Sequence, residues 1–370
     1  MNSPHILIAA CCVATAFVIS VVTTPLVRAW SRRHGFVDRP GGHKSHTAPV
    51  ALLGGISFVA AILLPMLGVI VLSRLLMQFG GPDTLPKSIA IHLPGLVAKT
   101  REGLAIIGGA IVLHVLGIYD DRQPLGAMPK LIAQVLVAAF VVVGFDVRLM
   151  TATGPLLSSV LSILWIVALT NAYNFLDNMD GLAAGVALIV ACAFGVTATQ
   201  AGQLFVPACC WLVVGATLGF LPYNVHPASI FMGDAGSLVL GYLVAVLTIL
   251  TTFYDASFGR RPAGVLAPLV VMAVPLYDTI SVFYLRGRAG LSLWRGDQRH
   301  FSHRLLRRGL SVREAVGVIW LATAVTALPA TLLPHADWPL ALGIVCQTAG
   351  VVVLVAYLEK AGYDDAERPR

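Results

Sequence analysis

Apolar runs long enough to cross a bilayer recur along the whole of this chain, and they limit what it can fold into. A spanning helix needs about 20 apolar residues. Eleven runs qualify, centred near residues 16, 61, 110, 137, 164, 190, 213, 245, 274, 323 and 348. Composition agrees: 57% of the 370 residues are apolar and only 12% are charged, against about 25% in a soluble domain. Mean hydropathy is +0.83. The spans consume nearly all of the length, which leaves no separate soluble domain. The chain reads as an all-α polytopic membrane protein of about 11 transmembrane helices, a single integral-membrane domain over residues 1–370. The first run has no basic residue ahead of it and no small-residue cleavage site, so it reads as a retained helix and not a signal peptide. All six cysteines fall inside apolar runs, without metal-ligand spacing, as small hydrophobes do.

Basic residues orient the spans through the positive-inside rule. With the N-terminus outside and the C-terminus cytoplasmic, 18 of the 25 basic residues face inward, among them Arg28, Arg122, Lys130 and those from Arg286 to Arg313. Parity then brings the ends of spans three and five, the start of span eight and the loop between spans nine and ten to the cytoplasmic side. The unusual polar residues lie at those places. The active site is therefore expected at the cytoplasmic face.

The stretch NAYNFLDNMDGLAAG, residues 171–185, ends one apolar run and opens the next. Asp177 and Asp180 thus sit where hydrocarbon gives way to water. A carboxylate deep in a bilayer costs roughly 2.5–3.5 kcal/mol on insertion scales, and a chain that keeps two of them is expected to use them. Residues three apart share a helix face, so Asn174, Asp177 and Asp180 should form one polar stripe. The alternative is an ordinary polar helix end followed by a glycine turn.

Span three ends in GIYDDRQPLG. Asp120 and Asp121 there oppose the macrodipole, which favours cations at a helix C-terminus. At about 4 Å, two like charges also cost on the order of 4 kcal/mol at an effective dielectric of 20. A divalent cation or a captured proton would relieve both problems, and Arg122 would relieve them in part. Downstream, LPYNVHPASIFMGDAGSLVLG sets Asp234 between Gly233 and Gly236 at the start of span eight. Asp234 or Ser237 would serve there as an N-cap. Free N–H groups at such a terminus also attract phosphate, and Mg²⁺ bridging carboxylate and phosphate suits hard oxygen donors. Asn224 and Phe231 precede it, placed to hydrogen-bond and stack on a base, or simply to pack.

Two inward loops add positive charge. SRRHGFVDRPGGHKSHTAPVALLGGI mixes Arg32, Arg33, Arg39 and Lys44 with His34, His43 and His46. It enters span two through Gly54 and Gly55, which let a backbone approach a phosphate closely. LSLWRGDQRHFSHRLLRRGLS offers Arg299, His300, His303 and Arg304, the last three on one face if the segment is helical. Arginine meets phosphate oxygens bidentately. Basic loops also serve simply to set topology and touch anionic headgroups. Asp278, in span nine about two turns from Arg286, is a functional candidate as an intramembrane acid, with an internal pair to arginine as the alternative. Five carboxylates, two histidine-bearing basic loops and a Gly-Asp-x-Gly turn on one face amount to a phosphoryl-transfer site.

The segments HKSHTAPVALLGGI, YDDR, NAYNFLDNMDGLAAG, NVHPASIFMGDAGS and DQRHFSHRL together resemble the polyprenyl-phosphate N-acetylhexosamine-1-phosphate transferases, in order over most of the chain. The resemblance implies transfer of a sugar 1-phosphate from a UDP-sugar to a polyprenyl phosphate, release of UMP, and Mg²⁺ (or Mn²⁺ in its place) as cofactor. By motif it implies that Asp120 and Asp121 are the aspartate pair, one of which deprotonates the acceptor phosphate. Asp177 joins them as catalytic, with Asn174 and Asp180 in the active site. Asp234, with Asp121, becomes the metal ligand, and Asn224 and Phe231 lie near the uridine. Lys44 and His46 match the first basic loop, and His300 and His303, flanked by Arg299 and Arg304, the histidine motif. The resemblance further implies a multi-pass protein of the bacterial inner membrane that initiates cell-envelope polysaccharide synthesis. Its partners would be the two substrates and membrane lipid, with no nucleic acid and a homodimer left open.

The last motif reads HFSH, with Ser302 where many members carry a third histidine, and lacks the consecutive histidines of the phospho-N-acetylmuramoyl-pentapeptide branch. The UDP-N-acetylglucosamine branch is therefore favoured, with muramoyl-pentapeptide transfer as the alternative. A single in-line displacement is expected, and a two-step route through an aspartyl-phosphate is the other option. Two rivals come from different classes. An intramembrane aromatic prenyltransferase would use Asp-rich helix ends and Mg²⁺ but has no need of the basic histidine loop. A cation-coupled transporter would place its acids near the midplane on broken helices, not clustered at one face.

Overall fold

In hydrocarbon each backbone N–H and C=O must find its partner within the segment, so apolar runs of this length close into helices. The computed structural model describes residues 3–38, 49–80, 90–256, 259–291 and 299–360. In chain order the helices are α1 (Ser3–Arg33), α2 (Gly54–Leu75, prolonged by a π-turn over Leu76–Gly80), α3 (Leu93–Ala98), α4 (Thr100–Arg122), α5 (Ala127–Phe145), α6 (Pro155–Leu176) and α7 (Leu182–Gln200). There follow α8 (Phe205–Asn224), α9 (Asp234–Leu250), α10 (Ala267–Val271), α11 (Ala273–Arg288), α12 (Phe301–Arg307), α13 (Val312–Ala330) and α14 (Trp338–Lys360). A short antiparallel hairpin pairs β1 (Val37–Asp38) with β2 (Val50–Ala51).

The expected all-α polytopic architecture is present: nine helices among the described residues are long and apolar enough to cross a membrane. Two of the eleven anticipated spans do not meet that test alone. The run near residue 245 becomes α9, only 17 residues long. The run near residue 274 is a broken pair, Pro262–Val271 and Ala273–Arg288, bent by 60°. Pro275 lies in the first turn after the break, where its missing N–H cannot extend the preceding ladder.

The short helix is also the axis of the molecule. Every residue from Ala235 to Thr248 is buried, as expected of a helix that is apolar all round. It packs against α2, α4, α6 and α7, whereas α1 and α14 turn most of their surface outward. Close approach at its first turn depends on two glycines of its neighbours. A Cβ on Gly55 of α2 would overlap the Gly236 backbone, and one on Gly117 of α4 would overlap Asp234 and Ala235. Overpacking of this kind costs about 1–3 kcal/mol. Gly117→Ala is therefore expected to push α4 off α9, lowering the unfolding temperature in detergent and, because Asp121 rides on α4, lowering activity with it. Unchanged values of both would show that the contact is not needed.

Candidate active site

Four helix ends meet at the start of α9. The loop before it is tied down by backbone bonds to the strand that leads into α2: Phe231 N–H donates to Ala51 C=O at 2.8 Å, and Gly54 and Gly55 N–H donate to Phe231 and Met232 C=O, each at 2.9 Å. Gly233 then turns the chain with φ +68°, and its Cα side faces the Asp121 carboxylate so closely that a Cβ would collide with it.

Asp121, at the end of α4, caps α9 from outside. Its Oδ1 accepts the Asp234 N–H at 2.9 Å and its Oδ2 the Ala235 N–H at 3.1 Å. The macrodipole of α4 disfavours this carboxylate while that of α9 favours it, so the sequence-level conflict is resolved between helices. Neither Asp234 nor Ser237 acts as the N-cap; Gly233 holds that position without a side-chain bond. His114, two turns before Asp121 on the same face of α4, donates from Nδ1 to the Ala235 carbonyl at 2.7 Å.

Asp120 turns the other way. Its Oδ1 accepts the Leu125 N–H at 2.7 Å and its Oδ2 the Lys130 ammonium at 2.9 Å. Lys130, in the first turn of α5, also donates to Asp234 Oδ2 at 2.8 Å, so one cation bridges two carboxylates. Arg122, the expected partner, instead lies over the Phe36 ring at 5.3 Å. From α6, Asn174 donates to Asp234 Oδ1 and Ser237 Oγ, both at 2.9 Å. Asp177 follows the last turn of α6. Desolvation pushes its carboxyl well above the usual carboxylate range, and the Asp234 and Asp121 charges push in the same direction.

The expected stripe of Asn174, Asp177 and Asp180 is not one helix face. The helix ends at Leu176 and Asp177 is its C-cap, because the glycine at 181 (φ +75°) turns the chain into α7. Asp180 points instead to the loop after α8, accepting His226 Nδ1 at 2.7 Å and Ala228 N–H at 3.0 Å. Asn224 is buried and knits the same turns together, accepting from Gly181 N–H at 3.1 Å and donating to Ile230 C=O at 3.0 Å. Phe231 stays half-buried beside Asp234 in sequence. His300 is buried and bonds Asp278, which answers the open role of that acid with a histidine partner. Arg304 is engaged by Ser281 Oγ at 2.8 Å, by Glu359 at 2.9 Å and by the Arg299 carbonyl. It braces α12 against α14. His303 is half-buried on α12, and Arg299 donates to Leu285 C=O at 3.4 Å. Lys44 and His46 lie outside the described residues.

Lys130 is the site residue that motif reading passed over. Its signal was present: a lysine in the first turn of an apolar helix opposes the macrodipole and needs an anion nearby. Among the described residues no three His, Cys, Asp or Glu side chains are arranged to hold a metal together. The donor chemistry still fits Mg²⁺, which keeps several waters and takes one or two carboxylates plus substrate phosphates. The Lys130 ammonium, bridging Asp120 and Asp234, shows that this cluster already accommodates positive charge.

A family model described as Glycosyl transferase family 4 matches residues 104–252, the stretch that contains the whole carboxylate cluster. The chain is 32% identical over 345 residues to the “Probable undecaprenyl-phosphate N-acetylglucosaminyl 1-phosphate transferase” of Bacillus subtilis (strain 168), covering 90% of this chain and 88% of the relative. It is 33% identical to the decaprenyl-phosphate N-acetylglucosaminephosphotransferase of Mycolicibacterium smegmatis, covering 96% and 90%. Against the undecaprenyl-phosphate alpha-N-acetylglucosaminyl 1-phosphate transferase of Escherichia coli (strain K12), identity is 26% with coverage of 84% and 80%. With such identity sustained over most of its length, and the matched stretch building the cluster around α9, the chain belongs to glycosyl transferase family 4.

Proposed function

We propose that this chain transfers N-acetylglucosamine 1-phosphate from its UDP-sugar to undecaprenyl phosphate or a similar polyprenyl phosphate, releasing UMP. One observation carries the reading: Asp120, Asp121, Asp177 and Asp234 meet Lys130 and Asn174 at the end of a bundle of apolar helices. A lipid acceptor and a charged donor can meet only at such a boundary. The names of the relatives supply the substrate class.

The reaction is a displacement at phosphorus. An oxygen of the acceptor phosphate bonds to the sugar-bearing phosphorus, and the bond from that phosphorus to the UMP oxygen breaks. Asp120 or Asp121 takes the acceptor's proton. Each has both oxygens hydrogen-bonded, Asp120 to Leu125 and Lys130 and Asp121 to the first N–H groups of α9, so the acceptor phosphate must displace one of these bonds. Lys130 holds Asp120 and Asp234 in place, and Asn174 orients Asp234. Asp234 and Asp121 would hold Mg²⁺ (or Mn²⁺), which would supply positive charge beside the donor pyrophosphate. His300 and His303 would screen the remaining phosphate charge, a part that Lys44 shares by its motif alone. The basic-residue asymmetry supports a cytoplasmic site, an outside N-terminus and a bacterial inner-membrane location.

The test is membranes supplied with labelled UDP-N-acetylglucosamine and undecaprenyl phosphate. Label should pass to the lipid phase with equimolar UMP, and chelation should stop it. Transfer from the UDP-muramoyl-pentapeptide alone would overturn the choice of donor. Purified protein given donor without acceptor is expected to release no stoichiometric burst of UMP; such a burst would replace the single displacement by a covalent route.

A further inference from the structure

Asp278 belongs to α11, beyond the stretch matched by the family model, and the mechanism above leaves it idle. It is 1% exposed. A carboxylate so enclosed must have each oxygen satisfied. Its Oδ2 accepts the His300 Nδ1–H at 2.9 Å and its Oδ1 the Phe301 N–H at 2.6 Å. Both bonds fall on consecutive residues at the start of α12, so they fix the histidine's backbone as well as its ring.

The ring is held against the last turn of α6, the helix that carries Asn174 and ends at Asp177. Its centroid lies 5.8 Å from that of Phe175, between Asn174 and Asp177 in sequence. Ser302 Oγ donates to Asn178 Oδ1 at 2.6 Å, tying α12 to the same turn. From the far side, the Arg304–Glu359 pair braces α12 on α14. With Nδ1 committed to Asp278, Nε2 is the ring nitrogen left for a substrate. A carboxylate on Nδ1–H sets both tautomer and ring direction, as it does for metal-binding imidazoles.

We propose that Asp278 is a positioning residue: it holds His300 so that Nε2 meets a phosphate oxygen of the nucleotide-sugar donor. This rests on the reading of the chain as a UDP-sugar transferase. Asp278→Asn keeps the side-chain shape but offers one acceptor where two are used. It is expected to raise KM for UDP-N-acetylglucosamine and lower kcat/KM by about 10–100-fold, with KM for undecaprenyl phosphate unchanged. His300→Ala should lose at least as much. The double variant should lose no more than His300→Ala alone, because two side chains that act as a unit are not additive.

Asp278→Asn activity within twofold of the parent, or losses that multiply in the double variant, would overturn the proposal. Should Asp278→Asn not accumulate in membranes, Asp278→Glu takes its place, since it keeps the charge and both acceptors one methylene further out. A raised donor KM is then expected, and an unchanged one overturns the idea. The parent protein is assayed first: no transfer from UDP-N-acetylglucosamine would bring down the transferase reading itself, a failure distinct from normal transfer by Asp278→Asn.

Discussion

Replacing Asp234 with Asn is expected to lower sugar-phosphate transfer by on the order of 10³-fold while leaving the protein folded. The fold survives because the groups that start α9 are backbone groups. The Asp234 and Ala235 N–H donors to Asp121 are unchanged by the substitution, and the Asn174 amide keeps an oxygen to meet at Oδ1. The chemistry does not survive, because one negative charge leaves a cluster built to concentrate positive charge near phosphate. The check is the initial rate with labelled donor, read beside the unfolding temperature in detergent. A variant that kept more than a tenth of the parent rate would remove Asp234 from the reaction.

Lys130→Met should reduce transfer by about 10²-fold and should destabilise the protein more than Asp234→Asn, which breaks only one of the two Lys130 ion pairs. Lys130 donates to Asp120 at 2.9 Å and to Asp234 at 2.8 Å, and the three side chains are only 21%, 11% and 23% exposed. Removing a cation from an enclosed pair costs about 3–5 kcal/mol when burial is complete. Residual solvent access here brings the expected loss nearer ~2 kcal/mol. Lys130→Arg keeps the charge and should recover most of the stability but only part of the rate, since a planar fork replaces a point charge. Equal unfolding temperatures for the Met variant and its parent would show that Lys130 is not the counter-charge of this cluster.

How far the site could be read in advance differs from residue to residue. Asp120, Asp121 and Asp234 were legible because charge at the edge of an apolar run is costly and stands out. Asn174 was found for the wrong reason: it reaches Asp234 from the last full turn of α6, not as part of a stripe that continues to Asp180. The period-three argument assumed a helix that the glycine at 181 ends. Arg304 was read as a phosphate ligand from its charge, yet Glu359 and Ser281 engage its guanidinium. Glu359 lies 55 residues further along the chain, out of reach of any local pattern.

Hydropathy and the placement of charge were enough to establish a helical membrane protein with its carboxylates gathered at helix ends. Lipid leaves a backbone few ways to satisfy its N–H and C=O groups, so that conclusion needs no knowledge of packing. Pairing inside the cluster was decided only by the assembled helices. Lys130 meets Asp234 across 104 residues of chain, and Asp121 caps α9 across 113. Those contacts exist because the glycines of α2 and α4 let their backbones close on the first turn of α9, and a one-dimensional pattern carries no record of that approach.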